Sequence, residues 1–242
     1  MILRRLAQNL QEQNWPGIWI EFILLVFGVF LGIQVANWNE ARLERIAEQQ
    51  SLQLLLKEVE QNLAYAQFVI DNAEDRQSDF EATLAMLQQK PVAAGDPDVG
   101  LVSMAMYRAS TPISVTLDDL KSTGRLSIIR NDALRVKLSV YESLILYNER
   151  MRADYADRAP VIPSMISPYA SFGYNPESAV GYDMAVDWQA AGKDKELVNA
   201  VVQAMGDQSA FHRRRFLFKN TTQELCDALA EELGQKCVPR MD

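Results

Sequence analysis

The chain has 242 residues, a net charge of −8, one histidine and two cysteines. This length holds one large domain or two small ones, and the acidic balance argues against nucleic-acid binding, because binding to a polyanion needs a basic face that displaces counterions. With so few histidines and cysteines, a transition-metal site would need an unusual set of carboxylates, and we expect neither a metal nor another cofactor.

The first predicted element is an apolar helix over residues 18–36, which carries one charge, Glu21. At 1.5 Å per residue it is about 28 Å long, close to the hydrocarbon thickness of about 30 Å. Trp15 and Trp38 bracket it and Trp19 lies near its start, where an amphipathic ring prefers the headgroup layer. A cleaved signal peptide fits less well, because the apolar region is too long. We therefore predict one uncleaved membrane span, with a buried core helix as the alternative.

Small residues recur every four positions within the predicted span, at Gly28, Gly32 and Ala36. In lipid, such a ridge permits the close backbone approach on which helix association depends. Glu21 falls on the same stripe. Two interpretations stay open: either the stripe contacts another span, with Glu21 protonated or hydrogen-bonded there, or the glycines are ordinary in spans and Glu21 lies among the headgroups.

The basic residues beside the span give only a slight indication of its orientation. Two arginines precede the span and two follow it (Arg4, Arg5, Arg42 and Arg45). The N-terminal amine tips this near tie towards an N-terminus that lies inside the cell. We predict a cytoplasmic segment over residues 1–17, a charged helical stalk over residues 37–51, and a domain over residues 52–242 outside the cytoplasm.

The region after the span predicts one very long helix or two nearly collinear helices, because no proline or glycine occurs from residue 43 to residue 90. From Leu52 onwards, apolar residues alternate in steps of four and three, with Gln77 as the interruption. This pattern is typical of a coiled coil or of a long helix in a bundle. The seam consists of Leu52, Leu56, Val59, Leu63, Ala66, Ile70, Ala73, Gln77, Phe80, Leu84 and Leu87.

Capping patterns predict the helices that follow a loop at residues 91–98. Thr116 followed by Asp119 resembles a capping box, and Gly124 is placed to end that helix. Asn131 can cap a further helix that extends towards Tyr155. The apolar positions of that helix are Leu134, Leu138, Tyr141 and Ile145.

The longest irregular stretch is predicted over residues 159–182, which contain four prolines, two glycines and three tyrosines. Its tyrosines and serines can line a ligand pocket or simply cover the end of a bundle. Two more helices are predicted, over residues 193–205 and 209–233, and no segment predicts a strand ladder. The expected fold is therefore all-α: a single N-terminal transmembrane helix that continues into a helical stalk and an antiparallel bundle of about four helices.

The two cysteines bear on the compartment. Cys226 lies in the last predicted helix, which should stop at Gly234, and Cys237 follows closely enough to fold back onto it. A disulfide is therefore sterically feasible, and two close cysteines with no others suit an oxidising compartment. Two free thiols are the alternative.

The only dense basic cluster comprises His212, Arg213, Arg214 and Arg215. Such a cluster can receive a phosphate, a polyanionic glycan or lipid headgroups. The alternative is that neighbouring phenylalanines form a core face and leave the arginines solvated or paired with surplus carboxylates.

Two stretches resemble the DUF6090-like family of uncharacterised bacterial single-span membrane proteins. The first is IEFILLVFGVFLGIQVANWNEARLE, an acidic residue and an apolar span followed by NWNE, and the second is TLDDLKSTGRLSIIRNDALRVKLSVY. The resemblance implies an anchored helical protein of the bacterial cytoplasmic membrane, without an assigned activity.

No Gly-rich phosphate loop, nucleophile elbow or metal-binding motif occurs in the sequence. We therefore expect no enzyme but a membrane-anchored scaffold or interaction protein, which binds the lipid bilayer and self-associates or joins another membrane protein. The alternative is an extracytoplasmic ligand-binding sensor that acts through a partner.

Overall fold

The computed structural model describes five stretches of the chain, residues 15–74, 76–104, 112–158, 161–177 and 181–241. Most of the predicted cytoplasmic segment, residues 1–17, lies outside these stretches. The described residues are mainly helical with little strand, which confirms the predicted all-α class. The chain divides into two compact units, Met1–Ser51 and Leu52–Asp242.

Eight α-helices and one β-hairpin make up the described part of the chain. The helices are α1 Trp15–Glu74, α2 Gln77–Leu87, α3 Pro97–Met104, α4 Val115–Ser122, α5 Asp132–Arg158, α6 Val161–Ile166, α7 Trp188–Ala191 and α8 Lys195–Glu232. Short 3₁₀ turns occur at Arg125–Ile128 and Ser167–Tyr169. The strands are β1 Ala170–Tyr174 and β2 Tyr182–Val186.

The long helix α1 has 60 residues and includes both the predicted span and the predicted stalk. Pro16 lies in its first turn, where the missing N–H of a proline leaves no intrahelical bond unmade. No later residue of α1 is a proline, so none of its residues lacks the backbone N–H that a helix interior needs.

The predicted heptad seam is buried on both sides of its interruption. Gln77 is exposed, and the helix ends at Glu74 before α2 begins at Gln77. The seam therefore continues on a second helix, while Ala73 lies among residues whose side chains are not described. The buried seam residues are Leu52, Leu56, Val59, Leu63, Ala66, Ile70, Phe80 and Leu87.

Four helices build the first of two hydrophobic clusters, which lies among α1, α4, α5 and the C-terminal half of α8. Helices α5 and α8 run antiparallel. Asn131 bonds Glu232 at one end of the pair, Tyr141 stacks on Phe218 in the middle, and Tyr155 meets Phe211 further along.

The second cluster contains α2, α3, α6, the hairpin, α7 and the N-terminal half of α8. Apart from α8, these elements are short. This cluster and the first belong to the same unit of the chain.

The predicted turn after α4 is confirmed, but the predicted cap at its start is wrong. Gly124 has φ of +70°, a conformation that favours glycine, and the Leu134 N–H donates to Asn131 Oδ1 at 3.1 Å. Thr116, however, lies inside α4, which begins at Val115. The cap comes instead from a distant acidic side chain on α1, described below.

The two predicted helices over residues 193–205 and 209–233 are one continuous helix, α8. Gly206 lies between the predicted pair, and it costs a helix about 1 kcal/mol relative to alanine. The burial of Ala204, Gln208 and Phe211 on one face holds α8 together through this point.

The prediction that no segment forms strands is also wrong, since β1 and β2 pair antiparallel within and beside the stretch predicted as irregular. Pairs on one face of the hairpin are Ala170 with Val186, Phe172 with Met184, and Tyr174 with Tyr182. This period of two is present in the sequence, but the glycines and serines between the apolar residues mask it.

Candidate functional site

Most residues in the apolar half of α1 are exposed. Every residue from Phe22 to Glu40 is exposed, and among the described residues one helix, α1, is long and apolar enough to cross a membrane. The most apolar window of α1 has a mean hydropathy of 2.3, and none of it is buried. A core helix of a water-soluble domain would be mostly covered, so this exposure argues against that alternative.

The small residues of the predicted association stripe are exposed, whereas its acidic residue is half-buried. A Cβ added to Gly28 or Gly32 meets no atom within 4 Å, and Ala36 is exposed. Glu21 is half-buried, and its Oε2 has no hydrogen-bond partner among the described residues. Trp15, Trp19 and Trp38, the predicted interface residues, are all exposed.

A buried amide, Asn62, joins three segments of the second unit. Its side chain on α1 is 3% exposed. Its Nδ2 donates to the Ile113 carbonyl and to the Tyr141 hydroxyl, at 2.7 Å each, and its Oδ1 accepts from the Ile113 N–H at 2.8 Å. Burial raises the pKa of Tyr141, so this hydroxyl stays protonated. The Asn62 side chain thus holds Ile113, which lies just before α4, in place relative to α1 and α5.

One turn earlier on α1, Glu58 caps the start of α4. Its Oε2 accepts from the Thr116 N–H at 2.7 Å, while Oε1 has no hydrogen-bond partner among the described residues. Burial raises the pKa of Glu58, and the hydrogen bonds from Thr116 oppose that shift without cancelling it. A carboxylate at a helix N-terminus is ordinarily favourable, but this one is only 5% exposed.

This environment predicts a pH-dependent effect of Glu58→Gln. The folded state holds the Glu58 proton more tightly than the unfolded chain, so ionising Glu58 costs stability as pH rises above the ordinary carboxyl range. Glutamine keeps an acceptor for Thr116 and does not ionise. The free energy of unfolding of the variant should therefore increase relative to that of the wild type as the pH rises from about 4 to about 7. A difference that stays constant across this range in urea titrations contradicts the assignment.

A second buried carboxylate, Glu60, holds the C-terminal tail. It is 2% exposed; Oε1 accepts from the Val238 N–H at 2.9 Å, and Arg240 donates to Oε2 at 3.2 and 3.3 Å. Cys226 and Cys237 are joined by a disulfide, with Cα atoms 5.6 Å apart. Helix α8 ends at Glu232, and Gly234, the predicted stop, follows two residues later with φ of +65°. Disulfide and carboxylate together fasten the tail to α8 and α1.

The basic residues 212–215 lie on different sides of α8. Four consecutive helical residues point in four directions, 100° apart. The ring of His212 packs edge-on against Phe216, and the Arg214 guanidinium lies 5.5 Å from the centre of the Tyr147 ring. Arg215 has a partner of its own, and Arg213 is exposed. The cluster thus contributes in part to packing between α5 and α8.

The segment with many tyrosines and serines does line a cavity, but mainly with apolar side chains. Ile166, Phe172, Tyr182 and Met184 form part of its wall. Within the described stretches, no group of three or more His, Cys, Asp or Glu side chains is placed to hold a metal ion.

No protein-family model, curated protein or solved structure matches the chain. The resemblance to the DUF6090-like family therefore remains a proposal that rests on the two quoted stretches. The first covers the exposed apolar part of α1, and the second covers α4, the Gly124 turn and the first turns of α5.

Proposed function

We propose that the protein is a non-catalytic helical scaffold, anchored in a membrane by the apolar half of α1 and assembled with copies of itself or with another membrane protein. The observation that carries this proposal is the run of exposed apolar residues on α1 from Phe22 to Ile33, in which only Gly28 and Gly32 lack a side chain. Each large apolar side chain gains about 1.5–3 kcal/mol when removed from water, so such a run needs a cover. Lipid provides that cover for a helix that is apolar on all faces.

The disulfide supports a position of the second unit outside the cytoplasm. Structural disulfides persist in oxidising compartments and are rare where thiols are kept reduced. This favours a single-pass protein of the bacterial cytoplasmic membrane with its C-terminal domain outside.

Self-association through the glycine stripe predicts the effect of Gly28→Leu combined with Gly32→Leu. Because a Cβ added at either position meets no atom within 4 Å in the single chain, the space beside these glycines is open, and a leucine there would interfere with a close partner. We expect the dissociation constant of the dimer in membranes, measured by crosslinking, to rise at least about tenfold. This rise corresponds to a loss of about 1.4 kcal/mol of association free energy.

The matched control is Val29→Leu with Ile33→Leu, which has the same spacing on a neighbouring face of α1 and keeps the apolar character. This control should crosslink like the wild type. Equal crosslinking of all three proteins would refute the stripe as the contact, and a loss in both variants would point to a general effect of span volume.

A further inference from the structure

The second hydrophobic cluster contains a partly open cavity of about 260 Å³ between α3, α6 and the hairpin. Leu101 and Val102 contribute from α3, and Ile162 and Ile166 from α6. Phe172, Tyr182 and Met184 close it from the hairpin. No lining residue carries a charge.

The hairpin is an incomplete cover over this cavity. Its apolar face places Phe172 opposite Met184, and the rings of Phe172 and Tyr182 meet edge-to-face at 5.6 Å. Met184 packs against the cluster, yet Phe172 remains 52% exposed. A hairpin of two strands is only marginally stable without packing, so access beside Phe172 is the least costly opening.

A partly open apolar cavity of about 260 Å³ is slightly smaller than a typical small-molecule pocket, which is concave and lined mainly by hydrophobic side chains. Its lining offers too few polar groups to hold water, and apolar cavities of about 150 Å³ already bind benzene-sized molecules. An apolar ligand that fits the cavity would make dispersion contacts with the lining side chains.

A neighbouring cavity differs in its chemistry. It measures about 280 Å³ and shares Ile162 with the first. Its wall is mixed: the apolar residues Met104, Val161, Ala200 and Ala204 line it together with Tyr155, Gln203 and Asp207. The contrast across α6 singles out the first cavity as the apolar one.

We propose that the cavity between α3, α6 and the hairpin binds an uncharged hydrocarbon, either a small apolar molecule or the end of a lipid tail. A charged group is excluded from the cavity itself, because no lining side chain would pair with it. The site does not depend on the membrane anchor, since it lies within the second unit of the chain.

The test uses the full-length protein in lipid nanodiscs with ¹³C-methyl methionine, and octan-1-ol as the probe. The Met184 methyl, assigned with Met184→Leu, lies in the cavity wall, whereas Met151 on α5 lines neither cavity. We expect a saturable shift of the Met184 signal and none of the Met151 signal. A Met184 shift that does not saturate, or that Met151 shares, overturns the proposal.

Val102→Phe fills the cavity from its wall, and Val202→Phe makes the same change at a position on α8 that is 49% exposed. The first should weaken octan-1-ol binding at least tenfold, and the second should leave it unchanged. If Val102→Phe lowers helicity, the wild-type titration alone decides. Phospholipid labelled with a nitroxide near the end of its tail distinguishes the sources: broadening of the Met184 signal identifies a lipid tail, and its absence with saturable octan-1-ol binding identifies a free molecule.

Discussion

Replacing Asn62 with alanine should lower the free energy of unfolding by about 3 kcal/mol, because three buried hydrogen bonds are lost together. The Ile113 N–H, the Ile113 carbonyl and the Tyr141 hydroxyl would each be left without this partner. Alanine also opens a small cavity beside α1. Urea denaturation of the full-length protein in mild detergent, followed by circular dichroism, measures the loss.

Asn220→Ala is the matched control for that variant. Asn220 is exposed on α8, so the same change there should alter stability by less than about 0.5 kcal/mol. If Asn62→Ala unfolds at the same urea concentration as this control, the amide does not hold α1, α5 and the start of α4 together.

Removing the disulfide by Cys226→Ser with Cys237→Ser should cost about 3 kcal/mol. The bridge joins two residues with a sequence separation of 11. Without it the unfolded chain gains conformational entropy, and for a loop of this length that gain stabilises the unfolded state by about 3 kcal/mol. The released tail also loosens the Val238 and Arg240 contacts to Glu60, which leaves a buried carboxylate poorly compensated.

A double-mutant cycle separates these two contributions. Glu60→Gln removes the charge in the oxidised protein and in the double-serine protein, and the difference measures the coupling between the disulfide and the carboxylate. We expect the variant to stabilise the double-serine protein relative to its effect on the oxidised protein. Identical unfolding of the oxidised and reduced wild type would show that the bridge fastens nothing.

The parts of the fold that the sequence predicts well are those set by local periodicity. The buried positions from Leu52 to Ile70 follow from a repeat of four and three. The same repeat predicts either one very long helix or two nearly collinear helices, so the break before Gln77 coincides with its one polar residue but is not predicted by it. Gly124 and Asn131 were predicted from backbone and capping chemistry that depends only on neighbouring residues.

The parts that sequence reasoning missed depend on contacts between distant residues. Glu58, Glu60 and Asn62 look like ordinary polar positions of a helix, yet each is buried and holds a segment at least 51 residues away. The available signal was their position beside the apolar seam, which would place them at the edge of a core. A partner for such a residue cannot be identified from helical periodicity, because it comes from another element.

The candidate sites divide in the same way. The span residues Glu21, Gly28, Gly32 and Ala36 are placed by spacing alone, so the structure adds their exposure but not a partner. The cavity was foreseen only as a segment with many tyrosines and serines. Its actual wall depends on how β1 and β2 pair and on where α6 packs.

The position of the apolar half of α1 in lipid is tested most directly by alkaline carbonate extraction of the full-length protein. We expect the wild type to stay with the membranes until detergent is added. In the variant Phe27→Lys with Leu31→Lys, each lysine near the centre of the span adds about 2.5–3.5 kcal/mol to the free energy of membrane insertion. Carbonate should therefore extract this variant into the supernatant. Gln49→Lys with Gln53→Lys, at the same spacing beyond the span, should be retained. Wild-type protein in the carbonate supernatant, or full retention of the Phe27 and Leu31 variant, would contradict the membrane anchor.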